Sequence, residues 1–117
     1  MPYAVFTHPE IAGVGLNEKQ LKQKKIPYIV SKNDYLASAQ GMARLPENSF
    51  VKLLFHKKNK RLLGAFIIGE EAATMIHHLI YAMTKNATVD DLLGMIYIHP
   101  ALPEIVRNAS RKAKAQF

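Results

Sequence analysis

His99 and Glu104, with four residues between them in the run HPALPE, are the two side chains of this sequence best suited to proton chemistry. An imidazole exchanges a proton near neutral pH. A carboxylate that accepts from one ring nitrogen fixes the tautomer and leaves the other nitrogen free to work. A carboxylate beside the ring also favours the imidazolium form. The pattern puts His99 just ahead of a helix start and Glu104 in the first turn or so, so the carboxylate can reach back to the ring. A plainer reading stands beside this one. A Glu in a first helical turn interacts favourably with the helix dipole whatever precedes it, and a His before Pro is commonly a loop residue. Elsewhere the chain offers no nucleophile, phosphate loop or electron carrier: it has no cysteine and no GxGxxG. A proton-handling pair with nothing to act on is half a site.

The elements that must hold this pair follow from patterning. Tyr3–Phe6 is β-prone, and in the THPEIAGVGL that follows, Gly13 and Gly15 read as a bend or a close backbone approach. Asn17 and Gln20 have the spacing of a capping box, opening a short basic helix over Lys19–Lys25 that Pro27 stops before a strand at Tyr28–Val30. From Asp34 to Asn48 the pattern is turn-rich. Val51–Phe55 and Leu62–Ile68 read as a hairpin about the polar segment His56–Arg61, and their successive apolar residues imply cover on both faces of part of the sheet. Gly69 ends the second strand. Ala72, Met75, Ile76, Leu79, Ile80 and Met83 recur at helical spacing up to a stop near Asn86. Thr88 and Asp91 open a short helix to about Gly94, and Pro103 suits the first turn of a final helix from about Leu102 to Lys112. This order predicts an α+β domain, an antiparallel β-sheet with helices packed on one side, rather than a doubly wound sheet.

At 117 residues, 49% apolar and 21% charged, the chain is sized and composed for one globular domain. Without cysteine it has no disulfide, which fits a cytoplasmic location. The opening MPYAVFTHPE lacks a signal-peptide pattern, and no apolar run approaches the roughly 20 residues of a membrane span, so no membrane partner is expected. The net charge of +7 gathers at Lys19–Lys25, Lys57–Arg61 and Arg107–Lys114, which read as a solvated helix face, a turn and a tail. No aromatic platform or nucleic-acid motif accompanies them, so nucleic acid is not expected as a partner. His77 and His78 are about 100° apart on a helix and do not share a face, so no metal site is expected.

HPALPE resembles the His-Pro-x-x-x-Glu signature near the C-terminus of the pyridine nucleotide–disulfide oxidoreductases, the family of dihydrolipoamide dehydrogenase, glutathione reductase and mycothione reductase. FTHPEIAGVGLNEKQ (Phe6–Gln20) resembles the entry to that family's interface domain. LLGAFIIGEEAATMI (Leu62–Ile76) resembles its long strand, glycine turn and dimer helix. The likeness covers nearly the whole chain. It implies that residues 1–117 are a single C-terminal dimerisation (interface) domain of a larger, dihydrolipoamide-dehydrogenase-like flavoprotein. FAD, NAD(P) and the redox-active cysteine pair would belong to missing N-terminal domains, and this domain alone would bind no cofactor. The resemblance further implies a homodimer acting on a disulfide or dithiol substrate. In it His99 is the general acid–base, Glu104 orients it, and both serve the partner subunit's site. Pro100 resembles a family proline at a bond that is often cis and is the candidate cofactor-contacting residue. Met75, Leu79 and Met83 are the candidate dimer seam, and His8 is structural. Thr74 stands where many relatives carry Glu, and Tyr97 and Ile98 replace the His-Ala common in dihydrolipoamide dehydrogenases. Pro103 replaces the usual Ser, a feature similar to mycothione reductases. The substrate, and NAD against NADP, stay open. The alternative is a stand-alone dimerisation or binding module without catalytic activity.

Overall fold

The computed structural model describes residues 2–5, 10–34, 50–69, 72–94 and 104–117, except for the side chains of Asp34, Thr74, Met75, Glu104 and Ile105. In chain order the strands are β1 (Tyr3–Val5), β2 (Ile11–Gly15), β3 (Tyr28–Asp34), β4 (Phe50–His56) and β5 (Leu62–Ile68). The helices are α1 (Glu18–Gln23), α2 (Ala72–Thr84), α3 (Val89–Leu93) and α4 (Glu104–Lys114). The strands form one antiparallel sheet in the order β1-β2-β5-β4-β3. The predicted β4–β5 hairpin is its centre.

Strand alternation decides what faces the helices. Ala12, Val14, Ile29, Val51, Leu53, Phe55, Ala65 and Ile67 point to one side and form one core with Ile76, Leu79, Val89, Leu92, Val106 and Ala109. α2 lies against β2 and β5, α4 lies against β3 and β4, and α3 packs on α4. The expected layering, with helices on one side of an antiparallel sheet, is therefore the fold of the C-terminal half. α1 differs: its Glu18 contacts Lys52 and Tyr28, which point to the other face. The fully buried Leu21 and Leu54 mark the cover it provides. Such local cover on the second face explains the unbroken apolar run in β4.

Ile11–Gly15 is a full strand, paired on both edges, which the sequence pattern did not predict; of the bend and the close approach read at Gly13 and Gly15, the close approach holds. Its glycines serve close approach within the sheet. Gly15 lies opposite Gly64 with φ of +81°, and there the chain leaves the sheet through a bond from the Leu16 N–H to the Leu63 carbonyl of 2.9 Å.

The helix ends follow the residues predicted to make them. Asn17 and Gln20 close a reciprocal capping box on α1, and Thr88 and Asp91 do so on α3. α2 ends in a Schellman arrangement with Asn86 in the left-handed region at φ 54°, the Ala87 N–H reaching the Ala82 carbonyl. α1 ends the same way, the Ile26 N–H reaching the Leu21 carbonyl, but with Lys25 at φ 55°. That helix stops at Gln23 rather than Lys25.

Candidate functional site

Glu104 is the first residue of α4, so its backbone stands at the positive end of an 11-residue helix, where a carboxylate is favoured. His99 and Pro100 lie outside the described residues, as does the Glu104 side chain. The described structure defines the mount on which this segment ends. Val106, Ala109, Ser110 and Ala113 form one fully buried stripe along α4. Ser31 Oγ, itself buried, donates to the Ala109 carbonyl and ties the middle of α4 to β3.

β3 is an edge strand, and side chains of α4 and of the residues just after it close that edge. Lys112 Nζ donates to the Lys32 carbonyl at 3.2 Å, and Gln116 Nε2 donates to the Val30 carbonyl at 2.8 Å. These are carbonyls that an edge would otherwise offer to another strand. Lys114 Nζ meets Asp90 Oδ1 at 2.5 Å and joins α4 to α3. That lysine holds the Asp90 carboxyl below its ordinary range. Phe117 meets Phe55 edge-on, with ring centres 6.5 Å apart. α4 thus runs antiparallel to β3, its C-terminal half is held on several sides, and Glu104 is presented toward the Asp34–Phe50 end of the sheet.

The second surface is the outward side of α2. Leu79 is 0% exposed and belongs to the protomer's own core, and Met83 packs partly buried against that core. The Met75 side chain lies outside the described residues. Tyr81, by contrast, is 64% exposed, with Lys85 Nζ 5.8 Å from its ring centre. Tyr81, His78, Ala82, Lys85, Ala87, Asp91 and Leu92 line a groove of about 530 Å3 between α2 and α3. His77 is exposed and bonds through Nδ1 to the Ala73 carbonyl one turn back at 2.7 Å. Among the described residues no group of three His, Cys, Asp or Glu could hold a metal ion. No helix among them is long and apolar enough to cross a membrane.

Residues 1–110 match the family model of the pyridine nucleotide-disulphide oxidoreductase dimerisation domain. This chain belongs to that family. It is 44% identical over 110 residues to mycothione reductase of Mycobacterium tuberculosis, covering 93% of this chain and 24% of the relative. It is 37% identical over 113 residues to the mitochondrial dihydrolipoyl dehydrogenase of Caenorhabditis elegans, covering 97% of this chain and 23% of the relative. Among solved structures, LpdA of M. tuberculosis superimposes with a TM-score of 0.90 at 21% identity, over 96% of this chain and 24% of that one. The HOCl-induced flavoprotein disulfide reductase RclA of Escherichia coli, in its Cu(II) complex, gives 0.89 at 22% identity, over 96% and 24%. The chain therefore spans about a quarter of the length of these relatives.

As a dimerisation domain the fold needs a surface left over after its own core is built, and that requirement redirects the reading of α2. Of the three residues that the family resemblance assigned to the seam, Leu79 is committed to the protomer's own core. Tyr81 and Lys85, which no sequence argument singled out, hold the open side. A signal was present: Tyr81 is a large aromatic out of phase with the stripe through Ile76, Leu79 and Met83.

Proposed function

We propose that this chain acts as the C-terminal dimerisation domain of an FAD- and NAD(P)-dependent disulfide oxidoreductase of the dihydrolipoamide dehydrogenase or mycothione reductase kind. In this reading it supplies His99 and Glu104 to the disulfide site of its partner subunit. The observation that carries the reading is the match of residues 1–110 to the dimerisation family, in a stretch that includes the whole HPALPE run.

The chemistry of the donor set fits this division of labour. The chain has no cysteine, so an imidazole and a carboxylate are what it can bring to thiol chemistry, and both handle protons rather than electrons. Bound by the rest of the protein, the flavin supplies two-electron exchange between nicotinamide and a cysteine pair. His99 takes the proton from a thiol as its sulfur attacks a disulfide, and returns it to the thiolate that leaves. Glu104, backed by the helix dipole, accepts from the other ring nitrogen and holds the ring in the working tautomer. Pro100 is the candidate contact to the cofactor. The partner-facing surface is the Tyr81 side of α2, and the setting is cytoplasmic.

In the full-length protein, His99→Gln should lower disulfide turnover by roughly 10²–10⁴-fold while flavin absorbance stays unchanged. Glu104→Gln should cause a smaller loss. Unchanged turnover in His99→Gln removes the acid–base role, and a full-length product without flavin reduces the domain to a binding module.

A further inference from the structure

The three basic stretches are far apart in sequence, but the fold brings their ends together. The Lys57 N–H donates to the Pro27 carbonyl at 3.0 Å, which seats the β4–β5 turn on the exit from α1. In register, Tyr28 pairs with His56 at the same end of the sheet. The ammonium of Lys60 lies 5.5 Å from the ring centre of Phe117, and Lys60 and Lys114 both act on Asp90. The end of α4 therefore arrives there as well. Lys24, Lys25, Lys57 and Lys58 are all exposed, and no ion pair engages them among the described residues. The carboxylates nearest this end are already occupied, Glu18 with Lys52 and Asp90 with Lys114.

A second observation is independent of charge. Lys25 and Lys60 both sit in the left-handed region, at φ 55° and 64°. Glycine and asparagine adopt that backbone with the least steric cost, and this chain uses Asn86 at the equivalent end of α2. At the basic end it carries lysine at both such positions, against the local backbone preference. Departures of this kind concentrate where a surface is used.

We infer that the hairpin end of the domain, built from Lys24, Lys25, Lys57, Lys58 and Lys60, is a docking surface for an acidic, carboxylate-rich protein segment. Charge complementarity selects the occupant: Arg61, exposed in the same turn, adds a fifth cation without an ion pair among the described residues. Of the rings at this end, Phe117 is engaged by Phe55 and Lys60, and Tyr28 is half-buried and donates its hydroxyl to Glu18, so among the described residues neither stands free to stack a base. The cations stand on a turn and a helix exit, convex elements around which a flexible acidic chain can lie.

The test measures binding of the 117-residue chain to labelled poly-glutamate, against duplex DNA and phosphatidylglycerol vesicles, at low and physiological salt. Poly-glutamate should bind best, with affinity falling about tenfold or more across that salt range. Lys24→Gln/Lys25→Gln and Lys57→Gln/Lys58→Gln should each weaken binding about tenfold at low salt, because both pairs face one ligand. Lys58→Gln should also weaken binding more than Lys32→Gln, which removes the same charge from further along β3. Equal losses in these two single variants would reduce the effect to net charge and overturn the assignment. No binding at low salt, or tighter binding to DNA or vesicles, would overturn it too.

Discussion

Leu79 and Tyr81 are two residues apart on α2, so they project about 200° apart around the helix and should fail in different assays when removed. Leu79 is 0% exposed and lies in the main core. Leu79→Ala leaves a cavity that a sheet on one side and a helix on the other cannot collapse, at a cost of about 3 kcal/mol. For a domain of this size that is roughly a 10–15 °C drop in melting temperature. Tyr81 is 64% exposed in the single chain, so Tyr81→Ala should change folding stability by no more than about 0.5 kcal/mol. If the Tyr81 side is the dimer seam, a two-fold axis uses the residue twice. At about 2 kcal/mol for each buried tyrosine, the dimer loses about 4 kcal/mol, or roughly 10³-fold in dissociation constant. Chemical denaturation reads the first effect and sedimentation equilibrium the second. A Leu79→Ala chain that folds normally but dissociates, or a Tyr81→Ala chain that stays dimeric, would refute the assignment of faces.

The remaining predictions concern the sheet and its basic end. A Cβ at Gly64 would lie 2.1 Å from the Leu16 carbonyl oxygen, a backbone atom, so Gly64→Ala should cost about 2–4 kcal/mol in urea denaturation. Lys25→Gly and Lys60→Gly relieve left-handed backbone at φ 55° and 64° and should each raise stability by about 1 kcal/mol, nearly additively, as thermal melts would record. Lys52 holds the Glu18 carboxyl below its ordinary 4.5, with Tyr28 adding a hydrogen bond. Because the folded value is the lower one, this contribution is present above pH 4.5 and is lost as pH falls through the lowered value. The pair is surface-screened, so the stability at stake is under about 1 kcal/mol, and Lys52→Met should flatten that part of the acid limb.

Local rules were legible wherever one residue type has one structural use. The two capping boxes, the β4–β5 hairpin, the Asn86 stop and the apolar stripe of α2 all follow from spacing alone. The strand at Ile11–Gly15 was not legible, because glycine marks both a bend and a close approach, and only Tyr3 and Phe66 on the neighbouring strands decide between them. Periodicity showed that Met75, Leu79 and Met83 share an apolar face but could not say whether that face meets the sheet or a second subunit. The sheet claims it at Leu79, since Ala12, Val14, Ala65 and Ile67 offer small or branched partners along the same row. The convergence of the basic stretches was invisible for a related reason: it depends on antiparallel register, which no single segment encodes. His99 and Glu104 stood out by residue type and spacing, a signal of chemistry and not of position.

The terminal helix links the two ends at which this domain is proposed to act. Its buried stripe of Val106, Ala109, Ser110 and Ala113 sets the rotation of α4, and with it the place of its first residue, Glu104, on the helix. The bonds of Lys112 to Lys32 and of Gln116, just beyond the helix, to Val30 set its position along β3, and Lys114 joins it to Asp90 of α3. Eleven residues of helix span about 16 Å. The carboxylate end and the lysine-rich end are therefore separated by more than a Debye length at physiological salt. A partner held at the hairpin end would then alter the charge around Lys57 and Lys60 without shifting the proton affinity of a site built on Glu104. The proposed dimerisation through α2, the proposed proton handling by His99 and Glu104 and the proposed docking at the hairpin draw on different parts of one fold. Each surface can change in sequence without unmaking the others, provided the shared core beneath them is kept.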